Sequence, residues 1–433
     1  MRILTWAVTL ALTATAAFSQ TPASQLDAAV ERAAPGIIEI RHQIHQNPEL
    51  SNREFKTAEL VAKHLRALGL DVKTGIAHTG VVGLLKGGRP GPVVAVRADM
   101  DALPVTEDTP YPFKSTVRTT FNGQEVGVSH ACGHDVHVAI ALGAASVLAP
   151  LRDQIAGSVM FVFQPAEEGP PAGEKGGAKL MLEEGLFADL RPAAVFGLHA
   201  DSSLTVGQLG YSPEASNASS DSFEITLSGK SAHAAWPHLS VDPILMASQA
   251  VMALQTIRAR NLSPYEPSVI TIAQIHGGVR DNIIPGEVKM SGTVRLFDPE
   301  VQNEVERRMR EILEGIAKGA GGTYDLKYIR QNPVNRNDPA LVSRMVPTIE
   351  RLVGAENVIV QPPPMAADDF AYLAQEAPAF FFHLGIVKPG TQSGNNHTPT
   401  FMADDSAIPI GIRVLSHVLM DYLDHAQDAR TSR

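Results

Sequence analysis

Val93-Val94-Ala95-Val96-Arg97-Ala98-Asp99-Met100-Asp101-Ala102-Leu103-Pro104 joins an apolar run of strand length to a short acidic segment closed by proline. The run is rich in β-branched valine and too short for an ordinary helix, so it reads as a buried strand. Its acidic residues follow directly, where open α/β sheets carry their binding sites. The pattern recurs. The strand-like run 158–163 leads into Gln164-Pro165-Ala166-Glu167-Glu168-Gly169, and Val195-Phe196-Gly197-Leu198 leads into His199. Residues 81–85 form another short apolar run. Segments 138–148 and 178–185 have helical spacing, as does most of 23–70, where a second helix stops at Gly69. Strands alternating with helices predict an α/β fold, an α/β/α sandwich.

Near Gln208 the texture changes. Ser222-Phe223-Glu224-Ile225-Thr226-Leu227 alternates with period two. A helix over 243–258, strands over 268–275 and 287–295, a charged helix over 299–318 and a strand over 324–329 follow. That order is a small α+β, ferredoxin-like unit. Further on, residues 379–384 suit a strand of the first sheet. The expected organisation is a larger domain in two parts, 25–208 and 331–427, interrupted by an inserted domain, 209–330.

A chain of 433 residues is long enough for two cores. Its composition, 44% hydrophobic and 19% charged, is that of an ordinary globular protein. A net charge of -10 and the lack of a dense Lys/Arg stripe argue against nucleic-acid binding. At the N-terminus, Met1-Arg2 precedes an almost wholly apolar or small run, 3–17. Ala17-Phe18-Ser19 then offers a small-x-small cleavage site. This is the layout of a signal peptide over 1–19, with a retained anchor as the alternative. Nothing else approaches membrane-spanning length, so the expectation is a secreted or periplasmic protein that leaves the membrane once the signal is removed.

The single cysteine, Cys132, lies in His130-Ala131-Cys132-Gly133-His134-Asp135-Val136-His137. A lone thiol makes no intramolecular disulfide, and in an oxidising compartment it needs burial or ligation. Thiolate and imidazole are strong transition-metal ligands, so the run reads as a metal-ligand cluster. A buried structural cysteine is the plainer alternative. Adjacent Glu167 and Glu168 suit a hydrolytic metal centre. In an extended loop they point to opposite sides, so one can bind metal while the other takes a proton from the attacking water. No Gly-x-Ser-x-Gly elbow supports a serine nucleophile.

The chain resembles the M20 metallopeptidases, and most closely their amidohydrolase branch of hippurate hydrolases, N-acyl-amino-acid deacylases and auxin-conjugate hydrolases. The resemblance is carried by His45-Gln46-Asn47-Pro48-Glu49-Leu50-Ser51, by the segments 97–104 and 130–137, and by Gln164 to Gly169. It continues in Gly197-Leu198-His199, Gly229-Lys230-Ser231-Ala232-His233-Ala234, Asn282-Ile283-Ile284-Pro285 and His397-Thr398-Pro399. It implies two divalent metal ions (Zn or Mn, with Co or Ni also suited) held by Cys132, His134, Glu168, His199 and His397, with the thiolate as bridge. It implies Glu167 as general base and Asp101 as support for the ligands. The inserted domain resembles the family's lid and dimerisation domain, which implies substrate contacts from His233 and Asn282, in some members from the partner of a homodimer. Arg295 closes a strand and suits either a substrate carboxylate or a surface ion pair.

One departure stands out. The family's Gly/Ser-Glu-Asp-Phe reads Ala367-Asp368-Asp369-Phe370 here, which puts any substrate role of that stretch in doubt. The expected activity is hydrolysis of the amide bond in N-acyl amino acids. A carboxypeptidase or dipeptidase acting on short peptides is the alternative, and a non-catalytic metal-binding protein of the same fold the remaining one.

Overall fold

Successive side chains of a strand point to opposite faces of its sheet. Val94, Val96 and Ala98 accordingly enter one buried cluster and Ala95 another. Their strand, Arg89–Asp99, lies inside an eight-stranded sheet. The order is Asp71–Ile76, Gly80–Lys86, Ala156–Gln164, Arg89–Asp99, Ala194–Thr205, Ala379–Val387, Leu209–Tyr211, Val358–Val360. The four central strands are parallel. They are covered on both faces, which is why they read as unbroken apolar runs. Gly80–Lys86 pairs antiparallel with both of its neighbours. This computed structural model describes residues 22–425, so the segment read as a signal peptide lies outside the described residues.

Helices Pro22–Gln46, Phe55–Ala67, His134–Leu148, Pro339–Val353 and Ala407–His425 pack on one face of the sheet. Gly177–Glu183 and Phe370–Glu376 pack on the other. The result is the expected α/β/α sandwich. Pro22–Gln46 is continuous through Pro35. That proline is on the solvent side, where water can satisfy the carbonyl it leaves without a donor. Leu26, Val30, Ile37 and Ile44 bury the inner side of the same helix.

The inserted unit is a four-stranded antiparallel sheet in the order Ser268–Gly277, Glu287–Leu296, Ser220–Ser228, Thr323–Asn332. Helices Pro243–Thr256 and Pro299–Ala320 close a separate core against one face. Each starts with proline after an aspartate whose side chain accepts backbone N–H groups of the first turn, Asp242 and Asp298.

The boundary expected at 209 moves. Leu209–Tyr211 pairs with Ala379–Val387 and Val358–Val360 in the large sheet. The inserted sheet runs from Ser220 to Asn332. Three residues are too few to display a period, so the change in texture after Gln208 comes earlier than the change of sheet. The two crossings between domains run side by side, Ala215–Asn217 pairing with Asn335–Arg336.

Phe381 is fully buried and stacks obliquely on Phe370, ring centroids 4.9 Å apart. Phe381→Ala is expected to destabilise the fold by about 3–5 kcal/mol, read as a lower denaturant midpoint. A loss below about 1 kcal/mol would contradict this packing.

Candidate metal centre

The cluster forms where strands of the large sheet give way to loops. His134 opens a helix whose preceding residue, Gly133, has φ +88°. A Cβ on Gly133 would lie 2.7 Å from that of Ala200, so only glycine lets this loop meet the neighbouring strand. Cys132 is thereby buried against the strand that carries His199. His199 Nε2 lies 3.5 Å and His397 Nε2 3.3 Å from Cys132 Sγ. His397 Nε2 is 3.2 Å, and His134 Nε2 3.9 Å, from Glu168 Oε1.

Hydrogen bonds fix which ring nitrogens face the cluster. His134 Nδ1 is 2.8 Å from the Asp101 carbonyl, and His199 Nδ1 is 2.9 Å from that of Ala200. A carbonyl can only accept, so both Nδ1 atoms carry hydrogen and both Nε2 atoms turn inward. His134 Nε2 is buried with no hydrogen-bond partner among the described residues. Such an orphaned lone pair beside a thiol and carboxylates fits a metal ion. His137 is different. Its Nε2 accepts from Ala200 N at 2.8 Å and its Nδ1 donates to Asp99 at 2.5 Å, so neither nitrogen is free.

Asp101 holds the carboxylate loop. Its two oxygens accept the N–H groups of Glu167 and Glu168, at 3.1 and 3.0 Å, and one also accepts Ser51 Oγ at 2.7 Å. Behind the loop lies a buried charge layer. The Arg97 guanidinium pairs with Asp99 at 2.7 Å and with Asp368 and Asp369 at 3.0 Å each, and donates to Gln164 at 2.9 Å. The shorter Asp368 thus still reaches a buried cation.

The electrostatics call for a cation. Burial alone would raise the Cys132 thiol, but His199, His134 and His397 more than offset that and hold it well below its usual value. Burial, and then the Cys132 charge, push Glu168 up to about 7. Burial, followed by Asp368, Glu168 and Asp369, pushes Glu167 well above the usual carboxylate value. A thiolate crowded by carboxylates that resist ionising is the situation a divalent ion relieves.

Cys132, His134, Glu167, Glu168, His199 and His397 therefore come together, with Asp101 directly behind them. Arg295 lines the same cavity of about 560 Å³, together with Asn217, Asn332 and Asp368. His233 and Asn282 do not line it. They are exposed on the inserted domain, where His233 accepts from Ala235 N. Sequence reasoning missed Arg97, Asp99 and His137 as partners. The first two stand inside the 97–104 motif, but no spacing reports that they pair with each other.

This fold and this cluster define a metal-dependent hydrolase of amide bonds. Residues 95–421 match the profile of peptidase family M20/M25/M40, and the chain belongs to that family. It is 39% identical to thermostable carboxypeptidase 2 of Saccharolobus solfataricus, across 89% of this chain and 94% of that one. It is 36% identical to N-acetyl-L-cysteine deacetylase of Bacillus subtilis, across 92% and 90%. The solved YXEP protein of Bacillus subtilis, described as a dinuclear metal binding peptidase from the M20 family, superposes with a TM-score of 0.76. That pair is 31% identical and covers 91% of this chain and 99% of the other.

Cys132→Ser is expected to weaken metal binding by at least about tenfold, because a hydroxyl replaces a thiolate. Metal content by mass spectrometry should fall while the metal-free melting temperature shifts little. Full metal content would return Cys132 to an ordinary buried residue.

Proposed function

We propose that the protein hydrolyses N-acyl amino acids, with two divalent ions held by Cys132, His134, Glu168, His199 and His397. The likeness to N-acetyl-L-cysteine deacetylase supports the substrate class, and a shared sulfur supports the two ions. Cys132, His134 and His199 form one group and Cys132, Glu168 and His397 another, each with ligand atoms within 4.8 Å of one another. A thiolate favours zinc, and the remaining ligands also suit manganese, cobalt or nickel. The ions supply Lewis-acid polarisation of the scissile carbonyl. Glu167 is the general base, taking a proton from water and returning it to the leaving nitrogen. Its backbone N–H is held by Asp101 beside the ligand cluster, which suits both halves of that exchange.

Arg295 takes the substrate carboxylate. It is half-buried in the cavity wall, and no hydrogen bond or ion pair occupies its guanidinium among the described residues; burial disfavours its charge and Asp221 only partly offsets that. A carboxylate beside the scissile amide is common to N-acyl amino acids and to peptide C-termini. The carboxypeptidase likeness therefore keeps a second reading, cleavage of short peptides, which free-amine dipeptides separate from N-acyl amino acids.

A second copy completes the site. His233 and Asn282 are exposed on the inserted domain, where Trp236, Leu245, Met252, Ile275 and Val279 are more than half exposed. The edge strand Ser268–Gly277 lies in the same domain. Exposed apolar side chains and a sheet edge on one domain suit a partner. The pairing brings each chain's His233, a donor for the developing oxyanion, and Asn282 to its partner's cavity. Export rests on the pattern of residues 1–19.

Glu167→Gln with metal restored is expected to lower kcat on an N-acyl amino acid panel by at least about 100-fold. Undiminished turnover would remove Glu167 from the mechanism. Co-expressing Glu167→Gln and His233→Ala chains tests the pairing. Each homodimer should be nearly inactive, whereas a mixed dimer keeps one complete site and regains activity. Absence of such complementation in purified mixed dimers would contradict the shared site.

A further inference from the structure

Two residues around the carboxylate loop hold backbone conformations that L-amino acids disfavour. Ala166, immediately before Glu167, has φ +53°, and Asn52 has φ +60°. Asparagine tolerates this region, but alanine gains nothing from its side chain there. Such strain persists only where surrounding contacts over-determine it.

The contacts converge on one side chain. Glu54 Oε1 accepts the N–H of Ala166 at 2.9 Å and that of Asn52 at 3.0 Å. Its Oε2 accepts Thr79 Oγ1 at 2.6 Å. Glu54 is fully buried, and among the described residues no Lys, Arg or His pairs with it. It stands at the N-cap of Phe55–Ala67, yet its side chain does not cap that helix. A buried carboxylate with only neutral donors is costly to keep. Together with Asp101, it takes the N–H groups of three successive residues, Ala166, Glu167 and Glu168.

We propose that Glu54 is a positioning residue that locks Ala166 in its left-handed conformation and so aims the Glu167 and Glu168 side chains. This rests on the roles proposed above for those two residues. If the lock is lost, Ala166 relaxes to an ordinary conformation, the following peptide turns and Glu167 swings away from the reacting atoms. Arg295 lies elsewhere in the cavity, so the effect is on turnover more than on substrate capture.

Four proteins test this: Glu54→Ala, Glu54→Gln, Ala166→Gly, and Glu54→Ala combined with Ala166→Gly. Glutamine keeps one acceptor oxygen for both N–H groups and offers its amide to Thr79, so kcat should stay within about threefold of wild type. Glu54→Ala should lose about tenfold or more in kcat with KM little changed. Glycine adopts positive φ without strain, so the double variant should regain about threefold or more over Glu54→Ala, without recovering its melting temperature. Zinc affinity, read by chelator competition, should follow the same order because Glu168 shares the loop. A metal-loaded, folded Glu54→Ala protein with wild-type kcat, or a double variant no better than Glu54→Ala in both readouts, would overturn the proposal. If wild type cleaves none of the N-acyl amino acids, the functional reading fails, and the zinc series alone decides the role of Glu54.

Discussion

A sulfur atom buried among imidazoles and carboxylates is the constraint on which the rest of the site depends. Burial disfavours a thiolate at Cys132, and His199, His134 and His397 more than compensate for it. Burial makes Glu167 and Glu168 reluctant to ionise, reinforced by the Cys132 charge at Glu168 and by Asp368, Glu168 and Asp369 at Glu167. That imbalance is the chemistry of a cation site. It also explains why Gly133 must be glycine, since the thiol loop lies hard against Ala200.

Precision comes from outside the cluster. Carbonyls of Asp101 and Ala200 turn His134 and His199 so that their Nε2 atoms face inward. Asp101 and Glu54 divide three successive backbone N–H groups between them. Arg97 gathers Asp99, Asp368 and Asp369 into a compensated layer behind the loop. These groups are buried in the sandwich, so the rigidity of the sheet is passed to side chains that line an open cavity.

Much of this was legible in the residues. The runs around Val93, Ser158 and Val195 are continuous because parallel strands are covered on both faces, and their loops carry the polar residues that meet at the site. The inserted domain was legible because period-two strands and a charged amphipathic helix differ from that texture. Leu209–Tyr211 was not, since three residues display no period. His137 looks like a ligand until its Nε2 is seen to accept from Ala200, a pairing made only by the folded backbone. Glu54 acts on a loop 112 residues away, which nothing local announces.

The most direct test of the central claim is anomalous diffraction from crystals of the zinc-loaded protein, measured on both sides of the metal edge. Two metal peaks per chain are expected, each about 2.3 Å from the Cys132 sulfur. A single peak, or a sulfur bound to only one ion or to none, would contradict a site built around a shared thiolate.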